Sequence, residues 1–185
     1  MAEATREQLA VAKKEQEESG EAQLSNDAAS AGFSIEKSPG ESLVTMKKEM
    51  VGETMVVSFH VDDVQPAVDA DGEEKEGALM AVNFTVAISK GADSPQLFFE
   101  CLANNAELHV RRVALEEEEG ADKEDAYGGP LFAEMDGQWQ FSCFSYLAER
   151  GIDDNFANFV CEYAAETECG EYARWLGRLD AFLAK

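Results

Sequence analysis

Apolar and polar positions alternate with a period of two, or run apolar, in six stretches of the chain, at residues 33–38, 43–51, 54–64, 80–89, 96–103 and 107–117. A two-residue period places successive side chains on opposite faces of a pleated strand. The turn-forming stretches "SPG", "VGE", "KGADSP" and "NN" separate most of the runs, so the pattern predicts six strands in sequence. With connections this short, an antiparallel meander is the economical topology. In the third run Val56, Phe59 and Val61 do not share one parity, which signals either a bulge or a strand with two covered faces.

On either side of these runs the period lengthens. Residues 3–20 are dominated by Ala, Glu, Gln and Lys, with Thr5 and Gln8 at capping-box spacing and Gly20 as a stop. A helix is predicted there, and its thin apolar stripe, Leu9 and Ala12, makes it dependent on a second helix. The polar stretch "LSNDAASAG" after it reads as a linker. Residues 137–151 carry Trp139, Phe141, Phe144, Tyr146 and Leu147 before Gly151, as a short helix would. Asp153 or Asp154 can then cap a long final helix. In that helix Phe156, Val160 and Tyr163 form one stripe, and Tyr172, Trp175, Leu176, Leu179 and Phe182 form another that does not continue its phase. One helix with two apolar faces needs two partners. The chain divides into an N-terminal helix and linker (1–31), a sheet region (33–135) and C-terminal helices (136–185), all within one domain.

Composition adds an unusual charge. Fifteen Lys and Arg against 38 Asp and Glu leave a formal −23, while 45% hydrophobic residues and eleven Phe argue for a folded core. A folded polyanion repels phosphate backbones and anionic membranes and attracts basic partners, which sets direct nucleic-acid binding aside. Two loops concentrate the charge: Asp69, Asp71, Glu73, Glu74 and Glu76 in one, and Glu116, Glu117, Glu118, Glu119, Asp122, Glu124 and Asp125 in the other. Both are candidate docking surfaces for Lys/Arg-rich proteins. The first fails as an EF-hand, because with Gly72 at the sixth position the first and twelfth are Ala67 and Ala78. Divalent-ion buffering by these loops is the competing reading.

Chemistry is otherwise sparse. His60 and His109 sit in strands without a Ser or Cys nucleophile at suggestive spacing, and neither a G-x-S-x-G, a phosphate-binding glycine loop nor an H-E-x-x-H occurs. Catalysis has no support in the pattern, and neither a cofactor nor a metal is expected. Cys101, Cys143, Cys161 and Cys169 are scattered through apolar surroundings with no C-x-x-C, the distribution of reduced, packed thiols in a reducing compartment. No run approaches the roughly 18 apolar residues of a membrane span. The first residues have neither a signal core nor a transit-peptide composition, so if the protein is imported, this chain begins after its presequence.

The segments "GESLVTMKKEMVGETMVVSFHVDDV", "YGGPLF", "YLAERGIDDNFANF" and "EYARWLGRLDAFL" resemble the mitochondrial acidic matrix protein family, also called the mitochondrial glycoprotein family. The likeness runs from about Phe33 to the C-terminus and is most specific at Glu149-Arg150-Gly151-Ile152-Asp153; before Phe33 it is compositional only. The resemblance implies an α+β fold in which a strongly twisted seven-stranded antiparallel sheet is flanked by one N-terminal and two C-terminal helices. It also implies assembly as a ring-shaped homotrimer. In that arrangement Phe156, Val160 and Tyr163 face the sheet, while the stripe from Tyr172 to Phe182 meets the Leu9 helix and an adjacent protomer. The family further implies a non-enzymatic, chaperone-like role in the mitochondrial matrix. That role supports RNA processing, including editing where it occurs, translation and oxidative phosphorylation, through contacts with basic RNA-binding or ribosomal proteins. The acidic insert after the third strand is short, and no presequence is present, both departures from the family pattern.

Overall fold

The computed structural model describes residues 1–17, 20–66, 80–91, 94–104, 106–116 and 129–184. Six strands form one antiparallel path: β1 (Ser34–Glu36), β2 (Leu43–Met50), β3 (Glu53–His60), β5 (Met80–Ser89), β6 (Gln96–Asn104) and β7 (Glu107–Glu116). Each corresponds to one alternating run of the sequence. The two-residue β4 (Gln65–Pro66) pairs with the start of β5 at Ala81 and Met80.

Register follows from which residues must be dry. Val44, Met46, Met55, Val57, Phe59, Val82, Phe84, Val86, Ile88, Phe99, Cys101 and Ala103 all lie on one face and are buried. Cross-strand partners such as Met46 and Val57, Val57 and Val86, and Val86 and Phe99 keep that face continuous. The parity conflict in the third run comes from Val56 alone, since β3 has one buried face. Met55, Val57 and Phe59 point inward, Val56 is half-buried on the other side, and Val61 belongs to a 3-10 turn (Val61–Asp63). The bulge lies instead on β7. Cys101 pairs with Val110 and Glu100 with Arg112, so Arg111 is the extra residue.

The N-terminal region differs from expectation in two places. Helix α1 (Ala2–Glu17) begins before Thr5, whose hydroxyl donates to the Met1 carbonyl at 3.0 Å from inside the first turn. Thr5 is therefore not a capping-box residue. The stretch read as a linker is mostly a second helix, α2 (Glu21–Ser30). Its Ala and Gln content favours helix, and Ala28 and Leu24 anchor it on the core.

Helix α3 (Gly137–Ala148) is capped by the Asp136 carboxylate, which accepts from the Gln138 N–H. A sharp corner then leads into α4 (Asp154–Leu183), capped by Asp153, which accepts from the Phe156 N–H at 3.0 Å. The first half of α4 lays Phe156, Ala157, Val160, Cys161, Tyr163 and Ala164 over the sheet. Its second half runs antiparallel to α1, with Arg6 bound to Asp180 at one end and Gly170 beside Gln16 at the other. A small second core forms there from Leu9, Ala12, Ala173 and Leu176. The two stripes of the sequence are thus two partners of one continuous helix.

Candidate functional site

The candidate docking carboxylates Asp69, Asp71, Glu73, Glu74, Glu76, Glu117, Glu118, Glu119, Asp122, Glu124 and Asp125 lie outside the described residues. Glu116 closes β7, opposite Gln96. Of the helix-packing candidates, Phe156, Val160 and Tyr163 come together in the main core, with the Phe59 and Tyr163 rings edge to face at 6.2 Å. Leu9 and Leu176 meet in the second core, and Leu179 is half-buried. Tyr172, Trp175 and Phe182 do not join either core. Trp175 is 56% exposed and Phe182 73% exposed. The Tyr172 and Trp175 rings stack on each other 6.1 Å apart, so the second stripe has only its Leu176 side covered by α1.

The segment Glu149 to Asp153 builds the corner between α3 and α4. Gly151 takes φ +86, a left-handed conformation that a side chain resists. Across it the Ile152 N–H returns to the Leu147 carbonyl at 3.0 Å. Ile152 is fully buried. Arg150 stacks over Tyr146, with its guanidinium carbon 3.4 Å from the ring centroid. It also forks onto Glu53 of β3 with hydrogen bonds of 3.0 and 3.1 Å. Burial pushes the Glu53 carboxyl up, but the Arg150 hydrogen bonds and charge, helped by Lys90, outweigh it and hold the group below its ordinary value. Lys48 of β2 donates to the Arg150 carbonyl at 3.1 Å, and Asp154 accepts from the Leu108 N–H on β7 at 2.9 Å. One corner is thereby tied to three strands.

A cavity of about 550 Å3 opens between α2, β1 and α4. Its charges are internally committed: Lys37 pairs with Glu171, and Arg174 with the same carboxylate at 3.3 Å. Burial works against ionised Glu171, yet Lys37, the Gly40 N–H and Arg174 bring its pKa below the usual value. Tyr163 at the cavity wall is raised above its ordinary value, by burial first and then by the charge of Glu21. The phenol is therefore a donor at neutral pH and not a base. Sequence spacing also missed a pair: His60 Nδ1, at the end of β3, lies 3.3 Å from Oγ of Ser42, the residue before β2. Among the described residues no carboxylate holds the ring from its other nitrogen, so the pair lacks the third group that orients a catalytic base. Among the described residues no three His, Cys, Asp or Glu gather as a metal site. No helix among them is long and apolar enough to cross a membrane.

All four cysteines are free; Cys101, Cys143 and Cys161 are buried and Cys169 is partly so. Burial, with the Glu100 charge, pushes the Cys101 thiol up to about 12. Burial and Glu162 push Cys161 up to about 11. These are packing thiols, since nucleophilic or metal-binding cysteine needs accessible thiolate.

Comparison with known proteins bears on what such a surface serves. The model of the mitochondrial glycoprotein family matches residues 5–183. The chain is 39% identical over 57 residues to the mitochondrial acidic protein mam33 of Schizosaccharomyces pombe, covering 31% of this chain and 21% of that protein. An uncharacterized mitochondrial protein of Arabidopsis thaliana is 27% identical over 159 residues, covering 82% of this chain and 62% of its own length. The mitochondrial complement component 1 Q subcomponent-binding protein of Bos taurus is 23% identical over 175 residues, covering 83% and 62%. The chain thus spans about three fifths or less of the length of these relatives. Among solved structures, a Leishmania major protein of unknown function, described as a sequence homologue of human p32, superposes with a TM-score of 0.72 at 22% identity, covering 98% of this chain and 96% of its own. The p22 protein of Trypanosoma brucei gives 0.66 at 21% identity, covering 97% and 98%.

Proposed function

The chain belongs to the mitochondrial glycoprotein family, and on that footing we propose that it is a non-enzymatic acidic scaffold of the mitochondrial matrix that binds basic, RNA-associated proteins. The observation that carries this reading is the formal charge of −23 on a folded domain. Such a field steers cationic proteins toward the surface and repels bare RNA. A mitochondrial location is supported by the names of the yeast, plant and bovine relatives. Protein binding is supported by the name of the bovine one. Through such contacts the protein supports mitochondrial RNA processing, translation and oxidative phosphorylation.

Its working form on this account is a homotrimer. The exposed stacked pair Tyr172 and Trp175, with Phe182, supplies apolar surface that an isolated chain leaves wet. The two-residue β4 stands for the seventh strand of the family sheet. Affinity capture from mitochondria, with and without nuclease, tests the function. Recovery of Lys/Arg-rich ribosomal or RNA-binding proteins that survives nuclease is expected. Their loss on nuclease treatment would assign the capture to RNA and contradict protein docking.

A further inference from the structure

A second, smaller cleft of about 210 Å3 lies between α2 and the α3–α4 corner. Its floor and walls are Ala28, Phe33, Met46, Phe156 and Phe159, with Gly151 at the corner. The Phe33 and Phe156 rings are 5.2 Å apart, and those of Phe156 and Phe159 are 5.9 Å apart, so the lining is a contiguous aromatic surface. Small-molecule sites are usually about 300–1,000 Å3. The cleft is below that range and suits a single large side chain. Ala31 and Gly151, both with little or no side chain, line it as well.

Charge at the mouth selects what such a side chain is attached to. Asp27 accepts from the neutral Gln23 amide at 2.9 Å, and Asp153 from the Phe156 N–H and the Asn155 amide. Neither carboxylate makes an ion pair among the described residues, so both charges remain unneutralised. Lys48, the cation at the cleft, is engaged by the Arg150 carbonyl and sits 4.9 Å over the Phe33 ring. The rim therefore presents two carboxylates and one ammonium around an apolar hole, a net negative charge.

We propose that this cleft seats one large apolar side chain of a Lys/Arg-rich partner segment, whose flanking cations meet Asp27 and Asp153. The proposal rests on the reading of the protein as a scaffold for basic partners and supplies what diffuse charge lacks, an anchor that fixes position. Anchored apolar side chains dominate binding energy, whereas exposed ion pairs mainly steer and set register.

Two synthetic peptides of alternating Lys and Ala, one with a single central Phe and one with Ala in its place, provide the test. Fluorescence anisotropy against the full chain at about 50 mM salt keeps the electrostatic attraction. The Phe peptide should bind about tenfold or more tightly than the Ala peptide, the effect of burying one large side chain. Ala31→Phe, filling the cleft from the C-terminal cap of α2, should erase that preference while leaving the Ala peptide unaffected. Asn155→Phe, entering from the opposite wall, should do the same, and keeps the test valid if one variant folds poorly. Asp27→Lys should weaken both peptides. Equal affinity of wild type for both peptides overturns the cleft proposal and leaves the scaffold reading standing. No binding by either peptide overturns both. A fall in assembly mass of Ala31→Phe by light scattering would assign the cleft to a second copy of the chain and likewise overturn the proposal.

Discussion

At the scale of single residues, the Glu53–Arg150 pair is the contact on which the α3–α4 corner depends. Their side chains are 15% and 13% exposed, so each charge needs its partner. Arg150→Met should lower unfolding free energy by about 1–2 kcal/mol, the scale of losing a partly screened, charge-assisted hydrogen-bonded pair, as measured by urea titration. Changing both partners to neutral residues should cost less than the sum of the single changes. The same carboxyl predicts a pH effect. Glu53 and Glu171 both have lowered folded pKa values relative to the ordinary 4.5. Their contribution is complete above that value and is lost as pH falls through the lowered ones. Melting temperature should thus drop below about pH 5, and Glu53→Gln should flatten part of that drop. For the thiols, a maleimide or disulfide reagent at about pH 8, below the free thiol pKa, should modify Cys169 in the folded chain well before Cys101 or Cys161. Fast labelling of Cys101 would contradict its burial. Ala106 holds φ +62 between β6 and β7, so Ala106→Gly should stabilise by about 0.5–1 kcal/mol.

At the scale of elements, the strands were legible because one covered face forces strict alternation, and Val82, Phe84, Val86 and Ile88 show it without interruption. The long final helix and its two partners could be read for the same reason: Val160 and Leu176 belong to faces out of phase. α2 was hidden because Ser25, Asn26 and Asp27 are poor helix formers, and what holds them is tertiary, Ala28 and Leu24 on the core. The bulge at Arg111 left no mark in the pattern, and Val56, the residue out of phase with Phe59 and Val61, is a half-buried side chain on the opposite face of β3. The corner cleft could not be read at all, since it combines α2, β2 and α4, and neither Asp27 nor Phe159 belongs to a local motif. The α1–α4 pairing makes its own prediction. Leu176→Ala should cost about 2–4 kcal/mol by emptying the second core, and α1 should become protease-sensitive. Retention of full stability would show that α1 is held some other way.

At the scale of the whole molecule, two surfaces carry the account: the wet aromatic face of α4 and the acidic field. Trp175 lies outside both cores, so Trp175→Ala should leave a folded chain but reduce the mass seen by light scattering at micromolar concentration. Unchanged mass would remove Trp175 from any subunit contact. The field is the central claim, and association kinetics with a Lys/Arg-rich ribosomal protein measures it most directly, at about 50 and 300 mM salt, which bracket the change in screening length. The comparison is between wild type and a variant with Asp69, Asp71, Glu73, Glu74, Glu76 and the acidic residues from Glu116 to Asp125 neutralised. The account predicts that association slows steeply with salt for wild type, and that the neutralised chain is slow at both salts, with dissociation little changed. Salt-independent association, or equal rates for the two chains, would contradict it.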